Sequence, residues 1–393
     1  MTSIVIVVLG SGLVLSGLNN HLHANARHPG EPTPSPSPSP SAPLTPQAIT
    51  ILGAGDVIVH PPVWEQARAD KGGNGYDFFP IFEDISGTVS EADLALCHLE
   101  TPIASPGAAP NGFPRFNTPP ELLDGLKKAG FDGCSTASNH ALDRGVDGVK
   151  RTLDAMDKAG LGHAGSARTA EEAGSVKLYE VQGVKVAHLS YTYGFSGVKP
   201  PAGKEWVTNV INVGAIRAAA RKARESEADI VVLSMHWGTE YQHLPNADQE
   251  KWAREVLAGP DVDLVLGHHS HSVQAMEQIG EKWVAYGLGN QVARPSAMVD
   301  KDREGVMVRV TLGESGPRWR VTKVEAIATW TELTPKVRII ELPKAVSDQS
   351  LPAATRQRYR ATLSRIAGYL RLRGATASGL LVVGSSGTPG SAG

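Results

Sequence analysis

Val262-Asp263-Leu264-Val265-Leu266-Gly267-His268-His269-Ser270-His271 (residues 262–271) sets an apolar run against a cluster of imidazoles, with one glycine between them. A short apolar run bounded by glycine reads as a buried strand. In open α/β sheets, ligands bind just outside the carboxyl ends of the strands. The same pattern recurs along the chain. Ala48–Leu52 leads to Gly55-Asp56, and Asp93–Cys97 leads to His98-Leu99-Glu100. The run at Cys134 leads to Ser138-Asn139-His140, Ile230–Met235 to His236, and Trp283–Tyr286 to Gly289-Asn290. Helical patterns separate these runs at Pro120–Ala129, Gly145–Ala159, Val213–Glu227 and Ala247–Leu257. Strands alternating with helices predict an α/β fold with much parallel pairing. Gly305–Leu312 and Trp319–Trp330 read as strands that complete a sheet in the same domain.

The chain has 393 residues, enough for one large α/β domain or two modest ones. Its 38 Lys+Arg against 40 Asp+Glu give a formal charge of −2. No basic field exists to hold nucleic acid, which excludes that class of partner. Two cysteines, Cys97 and Cys134, are too few for a disulfide scaffold or a Cys-based zinc cluster. Both fall in apolar runs, and the reading is a pair of buried free thiols rather than a disulfide.

The domain expected over residues 48–345 is preceded by two segments of different composition. Residues 3–18 are apolar but short of the roughly 20 residues of a membrane span, and Ala24-Asn25-Ala26 offers a small-x-small cleavage site. Residues 1–26 are therefore read as a signal peptide. Met1-Thr2 brings no cationic n-region, so an uncleaved anchor fits equally. The Pro/Ser alternation of residues 32–46 favours extended polyproline II and makes 27–47 a linker. Export follows, to the cell surface, either anchored by the N-terminus or secreted. Residues 346–393 are expected to be a C-terminal helix and a flexible tail, frayed from Ser378 onward.

Strand-end residues of these types make chemical sense as a dinuclear metal site. Hard anionic oxygens bridge and neutralise two cations, and imidazoles fill the remaining positions. Asp56 and Glu100 offer carboxylates, Asn139 an amide oxygen, and His236, His269 and His271 imidazoles. Two metals about 3.5–4 Å apart polarise a phosphoryl oxygen and generate hydroxide near neutral pH. His140 beside Asn139 is free to act as general acid. Mn, Fe or Zn suits such donors, as divalent or trivalent ions.

Taken in order, GDV at 55–57, LETPI at 99–103, ASNHALDRG at 137–145, SMHWGTEY at 234–241, VDLVLGHHSHSVQ at 262–274 and YGLGNQV at 286–292 resemble a known family. It is that of the CapA-type, poly-γ-glutamate capsule biosynthesis proteins within the calcineurin-like metallophosphoesterase superfamily. The resemblance implies a four-layer α-β-β-α sandwich with a metal pair at the carboxyl ends of the strands. It places the first-strand Asp on Asp56, the bridging carboxylate on Glu100, and the Asn-His pair on Asn139 as ligand and His140 as acid. The single histidine falls on His236, and the final His-x-His on His269 and His271.

The chain also departs from the pattern. The superfamily usually begins Asp-x-His, whereas Asp56 is followed by Val57-Ile58, with His60 four residues on. His98 stands where relatives often carry Asn. The first metal position is thus filled by His60, by His98, or by neither, and the register of His268 within HHSH is open. Asp143, Arg144, Glu240 and Asn290 are candidates to brace the ligands.

Three functions compete on this reading. One is metal-assisted phosphoester hydrolysis. The second is a weakly catalytic component that assembles or exports an anionic polymer alongside membrane-bound synthesis proteins. The third is metal-dependent amide hydrolysis in wall or capsule. Specificity is expected in loops such as Lys71–Asp77 and Gly107–Arg115.

Overall fold

The computed structural model describes residues 48–294, 299–316 and 318–385. The leader and the Pro/Ser linker lie outside the described residues. No described helix is long and apolar enough to cross a membrane.

The first four strands are β1 (Ala48–Val57), β2 (Leu94–Leu99), β3 (Gly133–Ser135) and β4 (Gly162–Ala164), and they pair in parallel in that order. A second sheet follows from β5 (Lys177–Val181), β6 (Val184–Thr192), β7 (Ile230–His236), β8 (Leu264–His268), β9 (Met276–Ile279) and β10 (Lys282–Ala285). Its order is β5-β6-β7-β8-β10-β9, with β6, β7, β8 and β10 parallel. The chain then returns to the first sheet with β11 (Asn290–Val292), β12 (Glu304–Ser315), β13 (Arg318–Glu332), β14 (Arg338–Glu341) and β15 (Leu380–Val382). That sheet runs β14-β13-β12-β1-β2-β3-β4, with β11 beside β1 and β15 beside β13.

Alternation along the strands builds the layers, because successive side chains point to opposite faces. Ile49 and Ile51 of β1, Leu94 and Leu96 of β2, Ile230 and Val232 of β7, and Leu264 and Leu266 of β8 meet in one core between the sheets. Leu52 and Ala54 of β1, with Ala95 and Cys97 of β2, face a second core under the helices Pro61–Asp70, Phe79–Ser90, Glu121–Lys128 and Gly145–Lys158. Val231, Leu233 and Val265 face a third core under Val213–Glu225 and Ala247–Ala258. The result is the helix-sheet-sheet-helix sandwich that the resemblance implied. Asn246 starts the last of these helices with a capping box closed by Gln249, which satisfies backbone donors that have no partner within the helix.

This alternation also aims the chemistry. His98, His236 and His268 share parity with the inward residues of β2, β7 and β8, so their imidazoles enter the space between the sheets. Gly267, on the opposite face, lets the chain after β10 come close: a Cβ there would collide with the Tyr286 carbonyl.

Two expectations are corrected. Cys97 and Cys134 are not free thiols but form a disulfide. They lie directly opposite one another on β2 and β3, with Cα atoms 4.3 Å apart, and that register is invisible in two separate apolar runs. The tail expected from Ser378 onward instead contains β15, which pairs in parallel with Val324–Ala326. The helix Ala353–Leu370 joins the same body. Its Tyr359, Leu363, Ile366 and Leu370 recur at helical spacing and enter the core between the sheets.

Candidate metal centre

Asp56 sits near the end of β1, where a register shift follows Gly53 and redirects the strand. Its carboxylate is fully buried and accepts the His269 backbone N–H at 3.0 Å, and it lies 3.1 Å from His268 Nδ1 and 3.4 Å from His271 Nδ1. Glu100 follows β2 and is also fully buried, with His271 Nε2 at 3.7 Å and His236 Nε2 at 4.0 Å. His236 ends β7, with Nε2 2.9 Å from Asn139 Oδ1. All six residues proposed as ligands from sequence are thereby brought to one place.

The open positions resolve unequally. His98 groups with Asp56 and Glu100, their ligand atoms within 4.8 Å of one another. His98 Nε2 also reaches His236 Nδ1 at 2.8 Å, and its ring stacks on His268 at 4.2 Å. His60 sets its Nδ1 against the Ile58 carbonyl and its ring edge-on to Phe116, the ring that also packs on His140. All three imidazoles of HHSH enter the site. His268 turns toward Asp56 and His98, while His269 and His271 form a second group with the exposed Glu240. His269 and His271 hold φ of 83° and 48°, left-handed values rare for side-chain-bearing residues and typical of functional sites.

The bracing residues separate as well. His140 Nδ1 donates to Asp143 Oδ2 at 2.9 Å, and Asp143 is held in turn by the Phe116 N–H at 2.8 Å. Asn290 Oδ1 accepts from His271 Nδ1 at 2.9 Å. Arg144 does not touch the ligands; it bonds the Arg115 and Phe116 carbonyls and braces that loop. Three residues escaped the sequence reading. Ser135 Oγ pairs with His98 Nδ1 at 2.7 Å, Ser196 Oγ accepts from Asn139 Nδ2 at 2.9 Å, and the Tyr193 ring lies 4.5 Å from that of His269. Only strand parity hinted at Ser135. Ser196 and Tyr193 come from a loop with no local signature.

The donor set fits metal ions on one observation above all. Both Glu100 carboxylate oxygens, His268 Nε2 and His269 Nδ1 are buried with no hydrogen-bond partner. Buried polar groups are nearly always paired, so unpaired carboxylate oxygens and imidazole nitrogens on residues gathered at these strand ends point to cations as the missing partners.

The family model for the bacterial capsule synthesis protein PGA_cap matches residues 50–295. The chain belongs to the PGA_cap family. The capsule biosynthesis protein CapA of Bacillus anthracis is 30% identical over 175 residues, which is 44% of this chain and 42% of that protein. The PGA biosynthesis protein CapA of Bacillus subtilis is 31% identical over 216 residues, 53% of this chain and 55% of that one. A Mycobacterium tuberculosis protein named probable polyglutamine synthesis accessory protein is 26% identical over 219 residues, 51% and 55% of the two chains. This PGA_cap chain thus spans about half the length of the curated relatives it matches. Among solved structures, the calcineurin-like phosphoesterase YfkN of Bacillus subtilis is 14% identical with a TM-score of 0.43, over 82% of this chain and 99% of that one.

Burial and charge set the protonation of the PGA_cap site. Burial pushes the Glu100 carboxyl up to about 7. Burial also works against a charged His271, but the Glu100 and Asp56 carboxylates outweigh it and raise that imidazole to about 10. Burial would raise Asp56, yet hydrogen bonds from His268 and His271 hold it below the usual carboxylate range. Burial keeps His98 and His236 well below the ordinary imidazole value and brings His269 down to about 3. Both shifts run toward the protonated forms of His271 and Glu100 when no metal is bound. Both must give up protons to bind metal. Metal loading at pH 7 is therefore expected to release about one to two protons per chain, with affinity falling as pH drops from 10 toward 6. Calorimetry in two buffers of different ionisation enthalpy measures this release, and no release would remove His271 from the ligand set.

Proposed function

We propose that this chain is an exported, metal-dependent hydrolase of the phosphoesterase type that acts in capsule-polymer metabolism at the cell surface. The observation that carries the proposal is the unpartnered Glu100 carboxylate, buried among His236, His271 and His98 beside an oriented His140–Asp143 pair. Asp56, Glu100, Asn139, His236, His269 and His271 would hold two ions, with His98 and His268 close behind Asp56. Bound there, the ions supply Lewis acidity toward a phosphoryl oxygen and a water that ionises near neutral pH.

The chain's own residues do the rest. Asp143 accepts a hydrogen bond from His140 Nδ1–H, which holds the ring and leaves Nε2 free; as the imidazolium, His140 would give its Nε2 proton to the leaving oxygen and return to the neutral Nδ1–H form. Asn290 orients His271 and Ser196 orients Asn139. Tyr193 covers the rings of His236 and His269 and shields them from water. The names of the relatives, capsule and PGA biosynthesis, support a capsule polymer as substrate. Metal analysis combined with hydrolysis of an aryl phosphodiester tests the reading. Two metal equivalents with turnover sustain it. Metal with turnover only on an amide substrate shifts it to amide hydrolysis. A chain that takes up no metal ends it.

A second reading is favoured by Asp56, which lacks the histidine two residues on, and by the accessory role in the mycobacterial relative's name. In it the chain binds polymer and hydrolyses little.

The export part of the proposal rests on the leader composition and on the Cys97–Cys134 disulfide, a bond that persists in oxidising compartments. Cell fractionation is expected to place the chain outside the cytoplasm, with no free thiol titratable under denaturing, non-reducing conditions. Full-length protein in the cytoplasm with two free thiols overturns export.

A further inference from the structure

A polar cavity of about 280 Å³ opens where β4 of the first sheet lies against β5 and β6 of the second. None of the residues proposed for metal lines it. His188 and Ser190 of β6 point into the space between the sheets, since the intervening Leu189 faces the helices. Each is 1% exposed. His188 Nε2 pairs with Ser234 Oγ at 2.9 Å, but His188 Nδ1 and Ser190 Oγ have no partner. Two such groups on one cavity wall are hydrogen-bonding capacity left unused by the fold.

The charges on the rim are unequal in availability. Arg168 is held by Asp154, Asp157 and Glu172. Lys177 has no carboxylate partner among the described residues; its Nζ lies 5.0 Å over the Tyr179 ring. One free ammonium, one hydroxyl and one imidazole nitrogen match a singly charged ligand with two acceptor oxygens. Asp157 and Glu172 line the same cavity and oppose a dianion such as phosphate. The volume lies at the small end of ligand sites, and the polar lining disfavours an apolar guest. We propose that this cavity binds a small carboxylate, its oxygens taken by Lys177 Nζ, Ser190 Oγ and His188 Nδ1. None of these three groups is among the residues proposed to hold metal.

The test is calorimetric titration of the metal-loaded full chain with glutaramate, which carries one carboxylate, against glutaramide, which carries none, and inorganic phosphate. Glutaramate is expected to bind with about millimolar affinity, as a ligand of its size allows, while the other two bind at least tenfold more weakly. Lys177→Gln and Ser190→Ala are each expected to weaken glutaramate about tenfold, Lys177→Arg to restore most of it, and Glu100→Gln to leave it unchanged. Lys177 is only half-buried and carries the test alone should Ser190→Ala fail to fold. Equal binding of glutaramide, preference for phosphate, absence of any glutaramate heat, or loss of binding in Glu100→Gln but not in Lys177→Gln would each overturn the proposal.

Discussion

Glu100→Gln is expected to reduce metal content from two equivalents to one or fewer and to bring hydrolysis down to the level of buffer, without weakening the fold of the metal-free chain. Glu100 is the residue whose two buried oxygens both lack partners, set between His271 at 3.7 Å and His236 at 4.0 Å. A carboxylate so placed would help neutralise the cations held there, and the isosteric amide brings no charge to do so. In the metal-free chain the same carboxylate is a burden, since burial has already pushed it up to about 7. Removing its charge is therefore expected to hold or raise the melting temperature without metal, while the rise that metal confers on the parent chain disappears. Elemental analysis and paired melting curves read both effects. A variant that keeps two metals, or that melts lower with and without metal alike, would show Glu100 to be a structural residue only.

The second large effect separates two neighbours. His140→Ala is expected to keep its metal and lose turnover by about 10²–10⁴-fold, the usual contribution of a general acid. Asn139→Ala is expected to lose metal and activity together, because Asn139 Oδ1 already points at His236 Nε2 from 2.9 Å. The His140 defect should shrink on substrates whose leaving groups depart without a proton. Asp143→Asn should fall between parent and His140→Ala, since it leaves the imidazole in place but withdraws the carboxylate that fixes its tautomer. Equal metal loss in His140→Ala and Asn139→Ala would falsify this division of labour. Unchanged hydrolysis in both, with reduced binding of an anionic polymer, would favour the assembly reading.

Much of this molecule is legible in local residue patterns. Apolar runs ending in Asp56, Glu100, Asn139, His236 and His269 mark strands, and helical spacing marks the segments between them. Those periodicities are properties of a few consecutive residues, and burial of one face follows from them directly. Parity adds that His98 faces the same side as Leu94 and Leu96.

Other features depend on which strands lie side by side, and no single segment carries that. His98 and His236 are 138 residues apart in sequence and meet at 2.8 Å only because two sheets pack face to face. The placing of His98 beside Asp56 and Glu100, and the entry of all three imidazoles of HHSH, follow from that packing together with the left-handed turns at His269 and His271. The Cys97–Cys134 bond needed the register of β2 on β3, and β15 needed an open edge on β13 to pair with. The cavity at His188 and Ser190 exists only where the edges of the two sheets come together. Local pattern is written in neighbouring residues, whereas register and sheet packing arise from the sum of many weak contacts between distant ones, and these the folded chain alone brings into view.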